Sequence, residues 1–140
     1  MSFLPEEDRE LLALKEIPYS EKQEKLPNGT TRKGIVFPGV SFTGNLFERN
    51  KDGVLTPCTQ CELLVLIPSG YANTKLDSFY TRPHLKVATG EAPNKATEVQ
   101  KLFESDWQFW SRHLTEEEWN KGARDLVNYL QIIKGELRKA

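Results

Sequence analysis

The stretch "CELLVLIPSGYANTKLDSFYTRP", residues 61 to 83, decides how the rest of the chain is read. Its first seven residues form an almost unbroken apolar run, the pattern of a strand buried on both faces, and one far too short to span a bilayer. Pro68 and Gly70 end that strand. After a loop the chain becomes extended again, and Pro83 marks a sheet edge or a chain exit.

Working outward, "LFERNKDGVLTPC" (46–58) places a turn at Asp52-Gly53, and "IPYSEKQEK" (17–25) followed by "LPNGTTRKGIVFPGVSF" (26–42) predicts two strands around the Asn28-Gly29 turn signal. Before them, "PEEDRELLALKE" (5–16) combines a proline suited to a first helical turn, early acidic residues, and Leu11, Leu12 and Leu14. This predicts a short opening helix. Beyond residue 87, "ATGEAPNKATEVQKLFESD" (88–106) has no clean strand alternation, and Thr89-Gly90 and Pro93 predict an irregular crossing over the sheet. Thr115 with Glu118 matches a capping box, and Leu126, Leu130, Ile133 and Leu137 follow the spacing of one helical face. The plan is α+β: an N-terminal helix, an antiparallel meander of about four strands, an irregular crossing and a C-terminal helix. Leu64, Leu66, Leu126, Leu130 and Ile133 are expected in the core.

The 140 residues are expected to form one domain with a single core. A hydrophobic content of 38%, a charged content of 28% and a mean hydropathy of −0.56 belong to a soluble globular protein, with no membrane partner. The acidic start "MSFLPEEDRE" lacks a signal-like apolar block, so the expected compartment is the cytoplasm. With 19 basic against 20 acidic side chains there is no general attraction to nucleic acid, and a protein or small-molecule partner fits better.

Cys58 and Cys61 form "CTQC", but a zinc site wants four ligands, and only His84 and His113 could add nitrogen. A redox pair would open a helix, whereas this one precedes a strand. Neither metal nor cofactor is expected, and two reduced cysteines at a strand entrance are the plainer reading.

The order of elements, with Ile67, Pro68, Gly70 and Tyr71 in the turn after the apolar strand, resembles the ubiquitin-conjugating-enzyme fold. Ala72 stands where that fold usually has proline. "LIPSGY", "LDSFYTRP", "DWQFWSRHL" and "NKGARDLVNYLQIIKGEL" (120–137), in this order, are similar to a bacterial branch, the prokaryotic ubiquitin-conjugating family E. The resemblance covers most of the chain after about residue 5. It implies a carrier that receives a ubiquitin-like protein from an activating enzyme and passes it to a target protein, usually in operons associated with antiviral defence.

The departure is the nucleophile. The fold places its catalytic cysteine after the fourth strand, and residues 84 to 140 contain none. Either the protein is an inactive module that binds a ubiquitin-like protein or its activating enzyme, or a hydroxyl replaces the thiol and the carried acyl group is an oxyester. The candidate hydroxyl is Ser111, in "ESDWQFWSRHL" (104–114). A serine needs a base, and His113 is two residues on, which puts both side chains on one side of an extended segment but not of a helix. Arg112, or backbone N–H groups near a helix N-terminus, could stabilise the oxyanion. The plainer alternative has Ser111 capping or turning the chain, Arg112 paired with an acidic neighbour, and His113 bonded structurally. Trp107, Phe109, Trp110 and Trp119 read as packing supports. Tyr71 reads as a structural plug, His84 as a surface residue and Asp77 as a loop-orienting residue.

Overall fold

The computed structural model describes residues 2–122 and 125–140; residue 1, and residues 123 and 124 within the 120–137 motif, lie outside them. Helix α1 spans Glu6–Leu14, opened by Pro5 with three acidic residues in its first turn, and it buries Leu12 completely. Leu14 points to solvent at 75% exposure, so only part of the leucine cluster serves the core.

Strands β1 (Ser20–Lys25) and β2 (Thr31–Ser41) pair antiparallel across the Asn28-Gly29 loop. There Gly29 takes a positive φ of 89°, and Asn28 Oδ1 accepts the Thr30 N–H. The short pair β3 (Phe47–Arg49) and β4 (Leu55–Pro57) surrounds the Asp52-Gly53 turn. The apolar run becomes β5 (Gln60–Leu66), the extended stretch β6 (Phe79–Arg82), and two further strands follow, β7 (Glu98–Leu102) and β8 (Ser105–Trp110). The main sheet is antiparallel, in the order β1-β2-β5-β6-β8-β7.

The expected α+β plan is therefore present, and the meander β1-β2-β5-β6 is its four-stranded part. The sheet goes on where the sequence predicts only an irregular crossing: 98–110 is a hairpin. Phe103 and Glu104 form its two-residue turn with φ of 50° and 66°, the left-handed conformations that Asn-Gly would advertise and these residues do not. Strand β7 is also an edge with mostly exposed side chains, so it has little apolar alternation to display.

The C-terminal helical region comprises two helices. Thr115 and Glu118 form the reciprocal capping box, each side chain bonding the other's N–H at 3.0 Å, and open α2 (Glu116–Gly122). Asp125 caps α3 (Leu126–Lys139) through the Asn128 N–H.

Register divides the core. Ile35, Phe37, Leu63, Val65, Phe79 and Trp110 face the helices, where Leu126, Leu130, Ile133 and Leu137 close the layer. Val36, Leu64 and Tyr80, opposite one another across three strands, join Leu102 and Trp107 in a smaller cluster on the other face. Leu66 is only half-buried, against that second cluster, because it lies at the sheet end where its neighbours thin out. Each fully buried large side chain contributes about 1.5–3 kcal/mol relative to exposure.

One buried polar contact ties the first helix to the last. Asp8, 3% exposed, accepts hydrogen bonds from the Tyr71 hydroxyl and, at 3.2 Å, from the Leu126 N–H at the start of α3. Burial raises the Asp8 carboxyl above its ordinary value, and the bond from Tyr71 partly offsets this. Asp8→Ala strands both donors, and should lower stability by about 2 kcal/mol in urea unfolding; an unchanged midpoint would show the contact to be idle.

Candidate functional site

Strand β8 ends at Trp110, and residues 111 to 115 run in no regular structure before the Thr115 cap. Alternation along β8 sends Trp110 inward, where it stacks on Phe79 at 5.4 Å between ring centroids and donates its indole N–H to Thr81 Oγ1 at 2.8 Å. The next residue, Ser111, is thereby held at the rim, and its N–H donates to the Lys95 carbonyl at 2.9 Å.

Non-helical backbone brings the Ser111 and His113 side chains together, with Oγ 3.2 Å from Nε2. The other ring nitrogen, Nδ1, lies 2.7 Å from Asp77 Oδ1. An ionised carboxylate can only accept, so in the neutral imidazole Nδ1 carries the proton and Nε2 turns a lone pair toward the serine. The His113 and Asp77 side chains are 62% and 48% exposed.

Asp77 meets His113 because its neighbour Ser78 is bound to the backbone of Arg112. The Ser78 N–H donates to the Arg112 carbonyl at 2.8 Å, the Arg112 N–H donates to Ser78 Oγ at 3.1 Å, and the Tyr129 hydroxyl of α3 donates to the Ser78 carbonyl at 2.8 Å. Ser78 adopts a φ of 59°, which turns the chain sharply before β6.

The Arg112 guanidinium spans the site. Nε donates to Glu136 Oε1 at 2.9 Å, Nη1 to the Ser111 carbonyl at 2.9 Å and Nη2 to the Asn94 carbonyl at 3.1 Å, while its carbon lies 5.2 Å from the Trp110 ring centroid. Pairing with an acidic neighbour is thus present, and among the described residues two of its five N–H groups have no hydrogen-bond acceptor.

Behind the rim, Gln108 organises the crossing. Its Oε1 accepts from Thr81 Oγ1 at 2.9 Å and the Leu85 N–H at 2.7 Å; its Nε2 donates to the Leu85 and Ala96 carbonyls at 3.0 Å each. A groove of about 730 Å³ opens over Ser111, Arg112 and His113, walled by Pro93, Asn94 and Lys95 from the crossing and by Glu136 and Lys139 from α3.

The other candidates fall elsewhere. Tyr71 is bonded to Asp8 and packs on Trp119, whose indole N–H donates to the Ala72 carbonyl at 3.1 Å. Trp107, Trp110 and Trp119 are buried, Phe109 is half-buried against the second cluster, and His84 does not line the groove. Cys58 and Cys61 are both free and buried. Burial, with Glu48 beside it, pushes the Cys58 thiol up to about 11, and burial raises that of Cys61 as well. No group of three or more His, Cys, Asp or Glu placed to hold a metal occurs among the described residues, nor does a helix long and apolar enough to cross a membrane.

The sequence pairs Ser111 with His113 but gives no reason to join Asp77 to them across 36 positions. It likewise offers no sign of Gln108, Ser78 or Glu136, since each acts through a contact distant in the chain.

A protein-family model described as prokaryotic E2 family E matches residues 4–140. Comparison with curated proteins and with solved structures returned no match.

Proposed function

The chain belongs to prokaryotic E2 family E, and from that premise we propose that it carries the C-terminal acyl group of a ubiquitin-like protein as an oxyester on Ser111. Membership makes it an E2-type protein, whose partners in general are a ubiquitin-like protein and an activating enzyme. Carriage on serine and transfer onward to a target protein are what we propose beyond that membership.

In this reading Asp77 holds the proton on Nδ1 of His113, and Nε2 draws the proton from Ser111 Oγ as that oxygen attacks the activated acyl carbon. The leaving group takes the proton from Nε2. The oxyanion forms beside Arg112, whose two uncommitted N–H groups are the candidate donors. The observation that carries the reading is the 3.2 Å approach of Ser111 Oγ to His113 Nε2 in a chain without cysteine beyond residue 61. The test mixes the chain with a candidate activating enzyme, ATP and a ubiquitin-like protein, then maps the linked residue by mass spectrometry. A base-labile, reductant-resistant link at Ser111 supports the carrier. Partner binding without any adduct supports the second reading, a non-catalytic binding module, which the high exposure of His113 favours.

The buried thiols play no part in this chemistry. Burial, with Glu48 beside it, pushes the Cys58 thiol up to about 11 and so keeps it in the weakly nucleophilic thiol form near neutral pH. A Cys58→Ser, Cys61→Ala double variant should stay folded and form the adduct at the wild-type rate, followed by gel shift. Loss of the adduct in a folded double variant would move the acyl group off Ser111.

A further inference from the structure

We propose that the acyl group on Ser111 is also released to water, so that the chain by itself hydrolyses activated carboxylic esters, with Asp77 as the residue that positions His113. The inference rests on the reading of Ser111 as nucleophile and adds a second fate for its acyl ester.

Three side chains form a continuous relay: Asp77 Oδ1 to His113 Nδ1 at 2.7 Å, then His113 Nε2 to Ser111 Oγ at 3.2 Å. Such a relay does not distinguish the hydroxyl of serine from that of water. Once Ser111 is acylated its Oγ has no proton, and Nε2 turns to whatever hydroxyl is next to the acyl carbon. What decides the acceptor is access. The His113 side chain is 62% exposed and the groove stands open to solvent between the crossing and α3, so water reaches Nε2 unless a partner covers it.

The step balances without any further reactant. Water oxygen attacks the acyl carbon while Nε2 takes one of its protons; the bond from the acyl carbon to Oγ breaks, and Oγ takes that proton from Nε2. The products are a carboxylic acid and free serine. Asp77 does not touch the acyl group. Its work is to keep the proton on Nδ1, which leaves Nε2 able to accept. Lys95 and Lys139 on the walls suit an ester whose acyl part ends in carbonyl-rich peptide, but a small ester needs only the relay.

The experiment uses the full chain and p-nitrophenyl acetate, with no activating enzyme present. The expected result is a burst of about one nitrophenolate per chain followed by steady turnover, both absent from Ser111→Ala. Asp77→Asn, which lets an amide N–H face Nδ1 and favours the proton on Nε2, should lower kcat about 10²- to 10⁴-fold with KM within about twofold, and Asp77→Glu should recover part of it. Thermal unfolding of the Asp77 variants should match wild type, since the side chain is exposed.

A burst without turnover, with acetate mapped to Ser111, overturns the hydrolysis and leaves the carrier reading standing. Turnover that is lost with Ser111→Ala, in a chain that forms no ubiquitin-like adduct, sustains the hydrolysis and removes the carrier. Turnover that survives Ser111→Ala, or no burst together with no labelling of Ser111 by diisopropyl fluorophosphate, overturns the proposal. Unchanged kcat in Asp77→Asn overturns the part assigned to Asp77.

Discussion

Ser111→Ala should abolish the ubiquitin-like adduct while the chain stays folded. The side chain sits half-buried at a groove rim, and the Ser111 backbone bond to Lys95 does not depend on the hydroxyl, so stability should change by less than about 0.5 kcal/mol. Ser111→Cys should restore an adduct, now a thioester that reductant cleaves, because a thiol is the stronger nucleophile and needs less help from a base. His113→Ala should slow loading of the serine by about 10²- to 10⁴-fold and slow the cysteine variant less, since only the hydroxyl depends on Nε2 for its deprotonation. Gel shift with and without reductant, and with hydroxylamine, reads all three variants. A base-labile adduct that persists on Ser111→Ala would return the chain to the binding-module reading. Equal loss in both nucleophile backgrounds would deny His113 the role of base.

Gln108→Leu should be the most damaging single change outside the apolar core, lowering stability by about 3–5 kcal/mol. The replacement is close in size, so the effect comes from the partners left behind. The Leu85 N–H and the Leu85 and Ala96 carbonyls lose their bonds inside the protein, and Thr81 loses its acceptor while still serving the Trp110 indole. A domain of ordinary stability, about 5–15 kcal/mol, loses a large fraction of its margin. The crossing also carries Lys95, whose carbonyl holds Ser111, and Asn94, whose carbonyl holds Arg112. Any residual folded protein should therefore load more slowly as well. Urea unfolding of Gln108→Leu beside Thr81→Val, which removes one of Gln108's partners together with the acceptor of the Trp110 indole, checks the account. A loss below about 1 kcal/mol for Gln108→Leu would mean that the crossing holds itself in place.

Sequence alone determined the elements whose signals are local. The opening helix, the hairpin at Asn28-Gly29, the apolar strand β5 and the α3 face from Leu126 to Leu137 each show within one segment a periodicity or turn residue that physics ties to one conformation. The capping box at Thr115 and Glu118 is of the same kind, and it placed residues 111 to 113 outside a helix. This is the condition for Ser111 and His113 to meet. The β7–β8 hairpin is the opposite case. Its turn uses Phe103 and Glu104 in a conformation neither favours, and its edge strand buries too little to alternate, so only pairing with β6 commits the segment to a sheet.

Tertiary structure alone decided the rest of the site. Asp77 approaches His113 because Ser78 is bound at once to Arg112 and to Tyr129 of α3, three segments with no local relation in the chain. Arg112, which the sequence offered equally as an oxyanion donor or an ion-pair partner, is committed through Nε to Glu136 by the packing of α3 beside the groove. The physical reason is range. Turn and helix propensities act over a few residues, whereas a carboxylate, an imidazole and a hydroxyl can be aligned only by a fold that has already settled which strands are neighbours.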